Sequence, residues 1–467
     1  MGPRSKRKLV VVANRGPYRL QGSGSNKRWE RSSGGLVTAL DPVLRGRGGM
    51  WVSAREGEGK PVAGSPPEDA YQLPVVDLSR SDQRGFYLGV SNAVLWPMLH
   101  SFPPTIRIAE APWRTYMSAN RAFAETTLAS SRPSDLVWVQ DYHLMLVPGM
   151  IRAKRPKARI GWFCHVPWPS IELFGILPWR REILEGLLGG DVLGFHTEQY
   201  AHNFCRCVER LTDHPVDIGA RTIRVGGREV RAVAAPIGIP VDELQTMAAE
   251  PEVMNKLNHL KKAAGGRRII LGVDRLDYTK GIPERILAYE QFLKSYRQAR
   301  HRYMFVQVMV PSRQDVRAYA QLKNEVDRLI GDINGRYSST GREAISYMFR
   351  NLDQLTLYAH YRAADVALVT PLRDGMNLVA QEYVASRLDE GGALVLSEFA
   401  GAASYLHGAI LVNPYDIHAI AEKLQYALDM SEGELHKRMK NMRQEVLKLD
   451  VHRWADTYLA LLEEVDG

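Results

Sequence analysis

A mostly parallel α/β protein of two domains is the fold class this sequence predicts, and three observations predict it. Short β-branched runs alternate with amphipathic helical stretches along the whole chain. The 467 residues exceed what one hydrophobic core organises, so two domains of roughly 200 to 250 residues are expected. Pro236-Ile237-Gly238-Ile239-Pro240 interrupts the alternation near the middle and reads as a hinge.

The elements follow in order. Leu9 to Ala13 is a β-branched run behind Arg4, Lys6, Arg7 and Lys8, too short for the apolar core of a signal segment, and is the first strand. Leu136 to Gln140, Ile160 to Cys164 and Val192 to Phe195 are short continuous apolar runs, as strands buried on both faces require. Arg180 to Leu188 and Glu198 to Leu211 carry helical periodicity between them. Thr222 to Ala235 is a β-hairpin turning at Gly226-Gly227. Beyond the hinge the strands are Arg268 to Val273, Met304 to Val310, Ile345 to Met348, Val366 to Thr370, Ala393 to Leu396 and Ile410 to Val412. Their helices include Pro283 to Phe292, with Pro at the first helical position, and Val316 to Ile330. His452 to Glu464 is a further helix that could pack on either domain. The expected domains are therefore 1–235, 236–450, and a helix over 451–467 with the option of packing back on the first.

Composition narrows the function classes. With 45% hydrophobic and 24% charged residues, and no apolar run near the roughly 18 residues that span a bilayer, no membrane partner is expected. Three cysteines cannot build a disulfide framework, so a reducing, cytoplasmic location is expected. Cys205-Arg206-Cys207 has no second pair and is a weak metal motif. The net charge of +9 invites phosphate-bearing ligands. It is dispersed, however: Arg152-Ala153-Lys154-Arg155 and Lys261-Lys262 read as helix ends and solvated faces, so no nucleic-acid partner is expected.

In open parallel sheets ligands sit beyond the carboxyl ends of strands. Arg15, Asp141, His165, Arg275 and Asp374 each follow a predicted strand. Arg275 and Lys280 lie in the loop of Gly272-Val273-Asp274-Arg275-Leu276-Asp277-Tyr278-Thr279-Lys280-Gly281, ahead of a helix whose dipole adds positive charge. Two such cations about 4 Å from an anion contribute on the order of 4 kcal/mol each at an effective dielectric near 20, which suits a diphosphate. An isolated pair with this spacing is more often solvated. In Leu372-Arg373-Asp374-Gly375-Met376-Asn377-Leu378-Val379, Gly375 permits close backbone approach and the next residues open a helix whose N–H groups are ready anion ligands. Glu382 then falls about two turns into that helix and could accept from sugar hydroxyls; Asp374 as a helix cap with a surface Glu382 is the plainer alternative.

These two motifs, with Ser397-Glu398-Phe399-Ala400-Gly401-Ala402-Ala403 and Val412-Asn413-Pro414-Tyr415-Asp416, strongly resemble the C-terminal half of the trehalose-6-phosphate synthase family. The likeness continues through Asn14-Arg15, Gly34-Gly35-Leu36, Ser91-Asn92-Ala93-Val94-Leu95-Trp96-Pro97, Asp141-Tyr142-His143-Leu144 and His165-Val166-Pro167-Trp168-Pro169, so it covers nearly the whole chain in order.

The resemblance implies a retaining GT-B glycosyltransferase of two Rossmann-like domains facing each other across a cleft, the first binding acceptor and the second nucleotide sugar. It implies that Arg275 and Lys280 hold the donor diphosphate, that Asp374 and the backbone of Met376, Asn377, Leu378 and Val379 engage glucose and phosphates, and that Glu382 takes the ribose. Gly35 would lie against the diphosphate and His165 near the donor 6-hydroxyl. Arg15, Tyr87, Trp96 and Arg313 would surround the phosphate of glucose 6-phosphate, with Asp141 on acceptor hydroxyls. Trp96 on residue type alone is more often core, and a lone strand-end His such as His165 is more often structural.

No metal and no organic cofactor are expected, the NDP-glucose being a substrate, and a homo-oligomer is expected. Three departures stand out. Gln140 occupies a position where relatives commonly have His, Tyr18 to Ser33 is longer than in compact relatives and is expected as a mobile flap, and no Arg near Gln354 and Leu355 points to a particular base. UDP-, GDP- and ADP-glucose therefore stay open. A glucosylglycerol-phosphate synthase, a cyclitol pseudo-glycosyltransferase and a non-catalytic sugar-phosphate sensor are the competing readings; the joint presence of Arg15, Tyr87, Trp96 and Arg313 favours glucose 6-phosphate, and retention of both donor motifs argues against a sensor.

Overall fold

The computed structural model describes residues 7–21, 28–31, 35–55, 71–313 and 316–465. Arg4, Lys6, Gly34 and positions 22–27 and 32–33 of the expected flap lie outside the described residues. The chain forms two compact units, one of residues 1–237 with 451–467 and one of residues 238–450.

In chain order the first unit contains β1 (Leu9–Val12), β2 (Tyr18–Gln21), β3 (Arg28–Arg31), β4 (Gly49–Ala54), β5 (Val75–Val76), β6 (Leu136–Gln140), β7 (Arg159–Phe163), β8 (Val192–Phe195), β9 (Val216–Asp217), β10 (Thr222–Val225) and β11 (Arg228–Ala234). Nine of these make one sheet in the order β5-β4-β1-β6-β7-β8-β11-β10-β9, while β2 and β3 pair antiparallel by themselves. β1 lies parallel between β4 and β6, Leu9 opposite Gly49 and Leu136, and is buried throughout. The hairpin turns where its glycines predict, Val225 facing Arg228 across Gly226 in the left-handed region.

The second unit holds β12 (Arg268–Arg275), β13 (Tyr303–Val310), β14 (Ile345–Met348), β15 (Val366–Val369), β16 (Ala393–Ser397) and β17 (Ile410–Val412). Every pairing in it is parallel, in the order β14-β13-β12-β15-β16-β17. Both sheets thus wind outward from an inner strand in two directions. The order reverses between β1 and β6 in one and between β12 and β15 in the other, and such reversals are where open sheets leave a crevice for ligands.

Several boundaries differ from the sequence reading. Pro283 is the second residue of helix Ile282–Ser295, whose cap is Gly281 at φ 62°. The helix expected from Val316 starts at Arg317 and runs on to Tyr337, because Leu322, Val326, Leu329, Ile330 and Ile333 keep one face apolar. β4 was missed although Met50-Trp51-Val52 follows two glycines of positive φ. Among the described residues no helix is long and apolar enough to cross a membrane.

Helix Val451–Glu463 is part of the first unit. Tyr458 stacks on Trp138 at 4.5 Å, and its hydroxyl lies 2.9 Å from the Trp162 carbonyl and 2.7 Å from that of Val192, on neighbouring strands. The ring fits because Gly161 and Gly194 have no Cβ: one at Gly161 would stand 2.9 Å from the Tyr458 ring and one at Gly194 2.7 Å from it. Gly161→Ala is therefore expected to cost about 1–3 kcal/mol of unfolding free energy through overpacking. Denaturant titration should show that cost largely vanish in a Tyr458→Leu background, since two changes in one contact do not add.

Candidate active site

Both reversal points carry chemistry-bearing residues. In the first unit Arg15 follows β1, and its Nη2 donates to the Tyr87 hydroxyl at 3.0 Å, while its carbonyl accepts from Trp51 Nε1 at 3.0 Å. Tyr87 stacks on His143 at 5.8 Å and comes from helix Arg84–Leu95, which is wound wide enough that the Trp96 N–H reaches the Ser91 carbonyl five residues back. Around them lies a cavity of about 390 Å³ lined by Asn14, Arg15, Arg55, Arg80, Arg84 and Tyr87, among others. Three of its arginines were not singled out from sequence. The available signal was the spacing of Arg80 and Arg84, which puts both on one helical face; Arg55 is paired with Asp77. Trp96 is only 6% exposed and packs on His100 and Tyr142, so it supports this region from the core and is not among the residues that line the cavity.

Asp141, after β6, has φ 72° and ψ 172°, a conformation that costs a non-glycine residue about 1–3 kcal/mol. The fold holds it there from several sides. Its N–H donates to the Phe163 carbonyl at 2.7 Å, its carbonyl accepts from Trp162 Nε1 at 3.1 Å, and its Oδ1 accepts from the His165 N–H at 3.2 Å. The His165 ring Nε2 lies 2.9 Å from Gln140 Oε1. An amide oxygen can only accept, so Nε2 carries the proton. Burial first, and the neighbouring His196 second, push the imidazole well below its ordinary range, which keeps it neutral. Gly35 opens helix Gly35–Arg47 in the same unit.

In the second unit Arg275 stands exposed at the end of β12. Lys280 closes the short turn Tyr278–Lys280, and its Nζ donates to Asp374 Oδ2 at 2.6 Å. Asn377 Nδ2 reaches the same oxygen at 2.9 Å. The two loops are bound together by backbone, with the Leu372 N–H donating to the Thr279 carbonyl at 2.8 Å. Phe399 and Gly401 brace Asp374 by further main-chain bonds, and a Cβ on Gly401 would meet the Gly375 carbonyl oxygen at 2.0 Å.

Beneath the Lys280 turn lies Arg285, with no exposed surface. Its guanidinium pairs with buried Asp274 and donates to Thr370 Oγ1 at 3.0 Å and to the Lys280 carbonyl at 3.1 Å. Sequence reasoning missed it, since a helical Arg normally reads as a surface charge.

The helix after Asp374 corrects the sequence reading. It runs Leu378–Ser386, and its cap is Asn377, at φ 70° with its side chain accepting from the Ala380 N–H, so neither Asp374 nor Gly375 starts it. The N–H groups of Leu378 and Val379 head the helix, while Met376 and Asn377 are buried just before it. Glu382 is accordingly in the second turn, closer to the helix start than expected, and accepts from the Tyr361 hydroxyl at 2.9 Å. Burial pushes its carboxyl up to about 7, against a smaller downward pull from Tyr361. Arg313, grouped with Arg15 by resemblance, belongs to the second unit and donates to the Tyr319 hydroxyl at 2.6 Å.

Two doubly wound, mostly parallel sheets with cations, carboxylates and helix N–H groups at their reversal points match the solved GT-B glycosyltransferases, and the chain is a glycosyltransferase of that fold. The model of glycosyltransferase family 20 matches residues 7–464, and the chain belongs to that family. It is 43% identical to a trehalose-6-phosphate synthase of Mycolicibacterium smegmatis over 97% of this chain and 92% of that protein. Among solved structures, a Burkholderia xenovorans α,α-trehalose-phosphate synthase (UDP-forming) in complex with glucose-6-phosphate superposes with a TM-score of 0.89 at 34% identity, covering 98% of this chain and 100% of that one. An Escherichia coli structure bound with UDP-2-fluoro glucose superposes at 0.90 with 35% identity, covering 98% and 99%.

Two expectations follow from the buried charges. Arg285→Met leaves the Asp274 carboxylate buried without its partner and should cost about 3–5 kcal/mol in urea unfolding; adding Asp274→Leu should restore most of that, but not turnover, because the Lys280 carbonyl stays unheld. Glu382 has a folded value near 7, above its ordinary 4.5, so its contribution to stability is full below pH 4.5 and lost as pH rises through about 7. Glu382→Gln, neutral throughout, should therefore gain melting temperature over the wild type as pH is raised from 5 to 8, and a constant difference would contradict the assignment.

Proposed function

We propose that this enzyme transfers glucose from a nucleoside-diphosphate glucose to glucose 6-phosphate with retention, giving α,α-trehalose 6-phosphate and the nucleoside diphosphate. The observation that carries the reading is the Lys280–Asp374–Asn377 cluster at 2.6 and 2.9 Å, set at the start of helix Leu378–Ser386 and joined by backbone to the Arg275 loop. A cation beside helix N–H groups suits a diphosphate leaving group, and a carboxylate that already accepts two donors is placed to take sugar hydroxyls as well. The names and bound ligands of the relatives support the same pair of substrates.

On this reading Arg275, Lys280 and the N–H groups of Met376, Asn377, Leu378 and Val379 neutralise the departing diphosphate without metal or organic cofactor, Gly35 lies against it, and Glu382 takes the ribose. Neutral His165, with its ring proton directed at Gln140, accepts from the donor 6-hydroxyl. Arg15, Tyr87 and Arg313 grip the acceptor phosphate, for which guanidinium forks are suited, with Trp96 supporting them. The C1–O bond to the phosphate breaks as the acceptor hydroxyl oxygen bonds to C1 on the same face, and its proton passes to the leaving phosphate oxygen. Asp141, held by its backbone and already accepting from the His165 N–H, orients that hydroxyl and need not act as base.

The test offers glucose 6-phosphate, glycerol 3-phosphate and a cyclitol phosphate in parallel with radiolabelled UDP-, GDP- and ADP-glucose. Glucosyl transfer to glucose 6-phosphate with an α,α-linked product by NMR is expected, from whichever base the enzyme prefers. Absence of transfer from every donor would overturn the proposal. Lys280→Ala should lower kcat by about a hundredfold, as loss of one transition-state charge partner does; unchanged turnover would remove Lys280 from the mechanism.

A further inference from the structure

The loop that presents Lys280 is also tied to Arg313, through hydrogen bonds that converge on Asp277 and through a direct ion pair of Arg313 Nη1 with Asp277 Oδ2 at 3.8 Å. Arg313 Nη1 donates to the Tyr319 hydroxyl at 2.6 Å, and that hydroxyl donates to Asp277 Oδ2 at 3.2 Å. The other oxygen, Asp277 Oδ1, accepts from the Thr279 N–H at 3.1 Å and the Thr279 hydroxyl at 3.0 Å, one residue before Lys280. Asp277 is 1% exposed and Tyr319 3% exposed, so water does not substitute freely for either partner. Burial, with Asp277 next, pushes the Tyr319 phenol upward, and it stays a donor.

The local geometry shows why such a tie is built here. Arg313 has φ 46°, an unfavourable region for a non-glycine residue. The Val316 N–H closes its turn onto the Arg313 carbonyl at 2.9 Å, and the guanidinium carbon sits 5.6 Å from the Tyr319 ring. Tyr319 lies in the first turn of helix Arg317–Tyr337, so one end of the chain is anchored on a long, packed element. Asp277 caps the turn that ends at Lys280. A movement of the guanidinium therefore reaches the Lys280 turn through Asp277, both directly and by way of Tyr319.

We infer that Tyr319 and Asp277 are positioning residues that couple Arg313 to the Lys280 loop, so that occupation of Arg313 by the acceptor phosphate changes affinity for the leaving nucleoside diphosphate. The inference rests on the proposed role of Arg313 toward that phosphate. When the phosphate draws the guanidinium, the Tyr319 hydroxyl loses its donor and turns wholly to Asp277, and the carboxylate shifts its hold on Thr279. Coupling of this kind is reciprocal by thermodynamic necessity.

The experiment measures dissociation constants by calorimetry for UDP, GDP or ADP, using the one that binds the unaltered enzyme most tightly, with and without saturating glucose 6-phosphate. It uses the wild type and the variants Tyr319→Phe, Asp277→Asn and Arg313→Ala, each checked by melting temperature. In the wild type the two ligands should change each other's affinity by about fivefold or more. Tyr319→Phe, which removes one hydroxyl and keeps the ring, should abolish most of that factor, the 3.8 Å Arg313–Asp277 pair alone remaining, while nucleotide affinity measured alone changes little. Asp277→Asn, which faces the Tyr319 proton with an amide, should also abolish it; if that variant is unstable, Tyr319→Phe decides alone. Absence of linkage in the wild type, or its undiminished survival in Tyr319→Phe, overturns the inference. If Arg313→Ala binds glucose 6-phosphate as the wild type does, the acceptor role of Arg313 falls and the inference with it. If Arg313→Ala is defective while Tyr319→Phe matches the wild type, that role stands and the coupling alone is refuted.

Discussion

A guanidinium removed from water organises the second unit. Stripping an ion of its hydration costs several kcal/mol even after relaxation, so Arg285 can be buried only if its donors are answered. They are answered by Asp274 inside β12, by Thr370 at the end of β15 and by the main chain of Lys280. Each of those partners belongs to a different segment of the candidate site, which means that satisfying one cation fixes three positions at once. Gly272 contributes by having no side chain, since a Cβ there would stand 2.9 Å from Arg285 Nη1. The pair adds little net stability compared with an apolar packing of the same volume. What it supplies is a defined arrangement of the loop that carries Lys280.

Backbone strain accompanies three of the candidate-site residues, and also occurs at Ser101, Arg221 and Glu390. Asp141, Arg313 and Asn377 all have positive φ without being glycine, and each is a residue the sequence motifs point to. A side chain that must be aimed in one direction at a strand end is sometimes aimed most easily by an unfavourable backbone, provided neighbouring bonds pay for it. Asp141 is held by Phe163, Trp162 and His165, Asn377 by its cap on Ala380, and Arg313 by its turn to Val316.

Much of the framework was legible because parallel strands buried on both faces must be continuous apolar runs, and β6 and β8, buried throughout, have the predicted bounds, as do the edge strands β14 and β17. Position at the carboxyl ends of predicted strands also marks Arg15, Asp141, His165, Arg275 and Asp374 in the sequence itself. What was not legible depends on contacts distant in sequence. Nothing in Pro283-Glu284-Arg285 separates a buried Arg from a solvated one, because its partner Asp274 lies on a different element. The start of the helix at Leu378 was misplaced since Asp374 and Asn377 are both good caps, and only the left-handed backbone of Asn377 chooses between them. Trp96 was singled out by the resemblance alone; it is 6% exposed, and its indole packs on His100 and Tyr142.

The helix carrying Tyr458 has a consequence for biosynthesis. Its ring fills space that Gly161 and Gly194 leave open in the first sheet, yet it is encoded after all of the second unit. At roughly 5 to 20 residues per second, a ribosome takes some tens of seconds to pass from the hinge to Val451. Throughout that interval the nascent first sheet has Trp138 and two glycine-lined strands without their cover. The first unit thus begins to form well before the second, yet its sheet is completed only once Val451–Glu463 has been made.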